Sequence, residues 1–233
     1  TSAVPRKPVE PVTAMRLPSS CSRITATVYQ MVDTAVAEVR TADRVLEAAI
    51  ESYGTRGYEA TSLDALAAEL GIRKQTILYW FPSKEALLAA VIDRCADDLS
   101  AALEDALSRA GDGWSRVEAV VHAVFRVALR RPALLGLLRE VARPGPPWST
   151  QLTDRLDPLV ERARAFLDAE MDAGDMRRTD PRLMLLSAYS TVIGVATEVE
   201  VQRALGVDPS LRSMVIRRRE LLAFLRSALA PTT

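Results

Sequence analysis

From residue 84 onward the apolar side chains recur at intervals of three and four and never alternate. This part of the chain can therefore bury one face of a set of helices, but not one face of a sheet. Three Asp-Pro pairs, Asp157-Pro158, Asp180-Pro181 and Asp208-Pro209, punctuate the pattern. Asp caps a helix N-terminus well and Pro is tolerated at the first helical position, so each pair predicts a helix start. Pro158 could instead kink a helix begun near Thr150. Gly174 and Gly206 fall where helices should end. The spacing predicts helices over 84–109, 115–130, 132–141, 158–173, 181–205 and 210–229. The Pro- and Gly-rich run from Arg143 to Trp148 reads as a non-helical loop. The expected class is all-α.

Composition narrows the function. Hydrophobic residues make up 48% of the chain, enough for a proper core. The 30 basic and 30 acidic side chains cancel, so any affinity for nucleic acid must be local. There is one histidine, His122, and the two cysteines, Cys21 and Cys95, lie 74 positions apart. That leaves neither a metal-ligand spacing nor a disulfide framework. No metal and no cofactor is expected, and the cysteine usage suits a reducing cytoplasm. An all-helical enzyme is disfavoured: no nucleophile motif appears, and adjacent acids such as Asp97 and Asp98 do not face each other on a helix. The longest uncharged run, Leu183 to Thr197, has 15 residues. A membrane span needs about 20, so no membrane partner is expected.

Residues 1–20 carry Pro5, Pro8, Pro11 and Pro18 with Arg6, Lys7 and Arg16 and no apolar period, which reads as a disordered, mildly basic tail. Helical spacing begins at Ile24 and runs to Val39, an extra helix that completes an N-terminal segment of residues 1–40. Thr41 then looks like the cap of the next helix, whose apolar stripe is Val45, Leu46, Ala49, Ile50 and Tyr53, with Gly54 and Gly57 as its stop.

The informative stretch is Thr61 to Leu87. Thr61-Ser62-Leu63-Asp64 fits a capping box, with the Thr61 hydroxyl accepting from the backbone and Asp64 reaching back. Leu63, Leu66, Ala67 and Leu70 share a face, Gly71 breaks the helix, and a second short helix runs from about Arg73 to Trp80. Helix, tight Gly-containing turn and helix is the layout whose second helix enters a DNA major groove. Residues 41–90 hold five bases and seven acids, but from Leu70 to Lys84 there are three bases (Arg73, Lys74 and Lys84) and no acid. Such local asymmetry is what phosphate neutralisation requires.

The runs GYEATSLDALAAELGI, KQT and YWFPSKEALLAAV strongly resemble the DNA-binding domain of TetR-family transcriptional regulators over residues 41–92. Gly57, Tyr58, Thr61, Ala67, Gly71, Lys74, Thr76, Phe81, Lys84, Glu85 and Leu87 match in register. For residues 93–233 the resemblance is to architecture alone and implies a helical effector-binding and dimerisation domain. Two positions depart from the family's habit: Arg73 stands where a capping residue usually opens the recognition helix, and Leu78 replaces a common tyrosine. The resemblance implies a homodimer on a palindromic double-stranded operator, most often a repressor, released by a small-molecule effector. The competing reading is a helical architectural or protein-interaction module without effector control.

Lys74, Gln75, Thr76 and Tyr79 are the candidates for base edges or nearby phosphates, because Gln can pair with adenine and the Thr methyl can touch thymine. Arg73 and Lys84 suit phosphate clamps, with Thr61 and Ser62 at the first helix start and Ser83 capping the helix after the reader. Trp80 could pack or donate its indole N–H to phosphate. For the effector, Trp114, Phe125, Trp148, Phe166 and Tyr189 are candidate lining residues and His122 a candidate polar contact. The helices at 181–205 and 210–229 carry apolar stripes suited to pairing with a second subunit.

Overall fold

The computed structural model describes residues 40–142, 147–208 and 210–231. The basic tail, the extra helix from Ile24 and most of the loop after Arg143 lie outside the described residues. Regular structure among those residues is entirely helical: α1 (40–56), α2 (Leu63–Leu70), α3 (Lys74–Trp80), α4 (Lys84–Ser108), α5 (Trp114–Arg130), α6 (Pro132–Ala142), α7 (Trp148–Ala173), α8 (Pro181–Thr197), α9 (Val199–Ala204) and α10 (Leu211–Leu229). Residues 44–233 form one compact unit.

The first three helices follow the apolar pattern. Val45, Ala49, Ile50 and Tyr53 of α1 are buried, as are Leu63, Leu66 and Ala67 of α2 and Ile77 of α3. Gly71 closes α2 in the left-handed region at φ 67°, its N–H returning to the last turn, and the Ile72 N–H reaches the Ala67 carbonyl at 3.0 Å. A side chain at Gly71 would strain that turn, which is why a glycine stands between the two helices.

Two expectations at α1 are corrected. The helix already includes residue 40, so Thr41 does not open it. Nor does Gly54 stop it, since α1 runs on to residue 56. Gly54 serves a close approach instead: a Cβ there would stand 2.3 Å from the Ala133 carbonyl oxygen of α6. Beside this contact Arg131 pairs with Glu47 of α1 at 2.8 Å and with Asp98 of α4.

In the helical body α4 packs on α5, α6 and α7, and α8 packs on α5, α7 and α10. Helix α7 is continuous from Trp148 with Pro158 inside it, so of the two readings the helix begun near Thr150 is the one observed, not a start at the Asp157-Pro158 pair. An internal proline forfeits one backbone bond. Contacts to α4 hold both halves of α7 in line: Gln151 donates to Asp93 at 3.0 Å, Arg155 to Asp93 at 2.7 Å and Arg162 to Glu104 at 2.6 Å.

Asp180 caps α8 as expected, with Pro181 at the first position. The single helix expected over 181–205 breaks at Glu198 into α8 and α9. The Val195 carbonyl at that break accepts from Gln202 Nε2 at 3.1 Å and from Arg217 at 3.0 Å. Side chains thus satisfy a helix-end carbonyl near the point where the helix stops. Ser210, not Asp208, caps α10, and Asp208 accepts from the Ser210 N–H at 3.0 Å. Among the described residues no helix is long and apolar enough to cross a membrane.

Candidate DNA-binding surface and effector region

Helix α2 opens one residue later than the capping-box reading places it. The Ser62 hydroxyl accepts from the Ala65 N–H at 3.1 Å, while Thr61 is 1% exposed and its hydroxyl donates to the Gly57 carbonyl at 3.0 Å. Thr61 is therefore a buried structural residue and cannot touch DNA, whereas Ser62 stays exposed at the helix start. Asp64 does not reach back to the cap either. It accepts from Lys74 Nζ of α3 at 2.8 Å.

Helix α3 is anchored by Ile77, which is fully buried, and ends where the Phe81 N–H meets the Ile77 carbonyl at 2.8 Å. Its other face is open. Gln75 is exposed, Tyr79 is 71% exposed, and Lys74, Thr76 and Trp80 are half-exposed. The Tyr79 and Trp80 rings meet edge to face at 4.9 Å between centroids. Arg73 sits exposed at the N-cap with no side-chain capping bond, as its residue type implies. Ser83 caps α4 through the Ala86 N–H at 3.0 Å. The structure thus brings Ser62, Arg73, Lys74, Gln75, Thr76, Tyr79, Trp80 and Lys84 onto the accessible parts of one helix-turn-helix.

Lys84 has a partner that the sequence did not disclose. Its ammonium lies over the Tyr58 ring, 4.1 Å from the centroid, and that ring meets Tyr53 edge to face at 5.3 Å. The Tyr58 hydroxyl donates to Glu85 at 3.5 Å. Burial, the Glu85 charge and then Glu59 push the Tyr58 phenol up to about 12, so it remains a neutral donor. Glu85 is held below the usual carboxylate range, chiefly by a backbone hydrogen bond at the start of α4 and then by the Ser83 hydroxyl. Only the order Tyr58–Lys84–Glu85 hinted at this cluster, and spacing across separate elements is not a pattern one sequence reveals.

The effector candidates do not converge. Trp114 and Phe166 both pack against a buried cluster of Leu167, Met171, Met176, Met184 and Leu229. Arg226 lies over the Trp114 ring and Arg116 over Phe166. Phe125 is fully buried core, Trp148 is the half-buried first residue of α7, and Tyr189 is an exposed residue of α8. His122 is half-buried, and its pKa is lowered by burial and by the charges of Arg218 and Arg126. One open cleft, lined by Arg164, Asp168, Asp180, Pro181 and Arg182, contains none of these candidates.

Comparison with known proteins bears on the same residues. The family model described as bacterial regulatory proteins, tetR family, matches residues 45–91, the span from α1 into α4. The HTH-type transcriptional regulator RutR of Escherichia coli K12 is 26% identical over 148 residues, covering 63% of this chain and 69% of RutR. The HTH-type transcriptional regulator EthR of Mycolicibacterium smegmatis is 26% identical over 159 residues, covering 68% of this chain and 70% of EthR. A solved transcriptional regulator from Saccharomonospora viridis, in complex with choline, superposes with a TM-score of 0.69 over 83% of this chain and all of its own, at 19% identity, a likeness of fold. The match thus falls on the helix-turn-helix, and the likeness of fold extends through the helical body behind it: residues 45–91 are a DNA-binding unit of the TetR family of transcriptional regulators.

Proposed function

We propose that the chain is a dimeric repressor that binds a palindromic DNA operator through α3 and leaves it when a small effector binds the helical body. The observation that carries the DNA half is the open face of α3. Ile77 fixes the helix by burial, while among the described residues Gln75 and Tyr79 are exposed and Lys74 and Thr76 half-exposed on it. The dimer half is supported by the apolar residues left exposed on α8 and α10, among them Leu183, Leu186, Tyr189, Val215 and Phe224. Residues 41–92 are the reading unit and 93–233 the sensing and pairing unit, joined by α4, which runs unbroken through the boundary. An operator-binding role supports a cytoplasmic location, and we assign the protein no catalytic role.

The buried cluster beneath Trp114 and Phe166 supports an effector seat there, because its three methionines adapt readily to different shapes. Selection of bound duplexes from a random pool, followed by salt titration, tests the DNA reading. A narrow palindromic set supports it, and equal affinity for all sequences overturns it. Lys84→Ala should weaken binding to every duplex alike and lower the salt slope by about 1, as loss of one phosphate contact requires. Gln75→Ala and Thr76→Ala should instead change which duplexes are selected.

A further inference from the structure

Three cations stand on or beside the reading helix, and they are not equivalent. Arg73 has no ion-pair partner among the described residues, and Lys84 rests on the Tyr58 ring. Lys74 alone is paired with a carboxylate, its Nζ lying 2.8 Å from Asp64 Oδ2. Asp64 belongs to the first turn of α2. The pair is solvent-exposed, with side-chain exposures of 40% for Lys74 and 70% for Asp64, so it contributes little to stability. Its position gives it another consequence. From Leu70 to Lys84 the sequence holds no acid, so Asp64 is a carboxylate brought from another helix to the one lysine of the recognition helix.

We propose that Asp64 is a specificity-determining residue of the DNA-binding surface: by neutralising Lys74 in the free protein, it removes that lysine from phosphate binding and reserves it for a base edge in register. The inference rests on the DNA-binding reading above. Binding to any duplex draws its sequence-independent affinity from the release of counterions by each neutralised phosphate. A lysine already neutralised releases none, and a phosphate that displaced Asp64 would leave that carboxylate facing the negative backbone. A base-edge acceptor such as guanine O6 or N7 carries no full charge, so it can accept a hydrogen bond from the Lys74 ammonium while the carboxylate stays close. The pair thus lowers affinity for random DNA more than affinity for the correct site. For a domain whose residues 41–90 carry more acids than bases, this is a way to gain selectivity without adding positive charge.

The test compares the wild-type chain, Asp64→Asn, Lys74→Gln and the double variant on two probes, a random-sequence duplex pool and a duplex selected by the wild-type protein from that pool. Asn keeps the size of the side chain and removes its charge. With the random pool, Asp64→Asn should steepen the logarithmic salt slope by about 1, which makes binding about threefold more sensitive to raising salt from about 50 to about 200 mM. The affinity ratio between selected and random duplex should fall. In the double variant the slope should return to the wild-type value, because the added contact is made by Lys74. Circular dichroism identifies any variant that fails to fold, and Asp64→Ser, equally uncharged, then takes the place of Asp64→Asn. An unchanged slope and ratio in a folded charge-removed variant, with the wild-type protein binding normally, overturns the role of Asp64 alone. Failure of the wild-type protein to bind any duplex overturns the DNA-binding reading together with it.

Discussion

Lys84 is held by a ring rather than by a charge. The Tyr58 face lies under its ammonium at the start of α4, and such a contact leaves the positive charge in place, as the proposed phosphate contact requires. Tyr58→Leu should therefore weaken duplex binding by about 0.5–1 kcal/mol, the usual size of an exposed cation–ring contact. Tyr58→Phe, which keeps the ring and loses only the hydroxyl to Glu85, should bind nearly as well as the wild type. Equal losses in the two variants would show that the hydroxyl matters and not the ring. His122 gives a second prediction at this scale, because it is the chain's one histidine. Burial, with Arg218 and Arg126, lowers its pKa in the folded state below the ordinary value of about 6.5. The unfolded chain then binds the proton more readily. Its contribution to stability is complete above the unfolded pKa and is lost as pH falls from about 6.5 through the folded value. Denaturant titrations between neutral and mildly acid pH should show that decline. His122→Gln should flatten it, and a decline of the same size in the variant would assign it to other groups.

The contact between α1 and α6 shows what an isolated sequence conceals at the scale of elements. Read locally, Gly54 is a helix stop. In the fold it lies inside α1, where the Ala133 backbone leaves no room for a Cβ. The partner is far along the chain, and no local pattern announces it. Gly54→Ala should cost about 1–3 kcal/mol, the range for forcing an extra group into a packed contact. A thermal unfolding midpoint within error of the wild type would show that the two helices separate freely. The other slips have similar causes. Thr61 and Ser62 both offer a hydroxyl to the start of α2, and only the burial of Thr61 decides which one caps. Pro158 reads as a helix start because local chemistry favours that position, whereas pairs reaching from α7 to α4 carry the helix across it. The helix-turn-helix was legible because its signals are local: a glycine at a left-handed turn, an apolar face, and bases clear of acids. The effector candidates were not legible as a group, because Phe125, Trp148 and Tyr189 are aromatic like Trp114 and Phe166 but do not share their place in the packing.

At the scale of the whole molecule, the apolar residues that the protomer leaves uncovered decide how the reading surface is used. Leu183, Leu186 and Tyr189 follow one another at three-residue steps along α8, and Leu186 and Phe224 are each 59% exposed. Large exposed apolar patches mark association sites. A second copy seated on α8 and α10 would cover them and bring two α3 helices into one particle. The two recognition helices must then lie about 34–36 Å apart, or a multiple of it, to enter major grooves on one face of the duplex. In the proposed dimer the apparent affinity for a palindrome would depend on an interface remote from the DNA, through the effective concentration of the second reader. Leu186→Glu separates this effect from folding, because the side chain faces solvent in the protomer and the added charge becomes costly only when a partner covers it. We expect the variant to keep wild-type helicity, to sediment as a monomer where the wild type is a dimer, and to lose affinity for the palindrome while keeping its weak affinity for a half-site. If Leu186→Glu stays dimeric, the pairing surface lies elsewhere. If it is monomeric yet binds the palindrome as tightly as the wild type, a single α3 suffices for recognition and the symmetric operator must be abandoned.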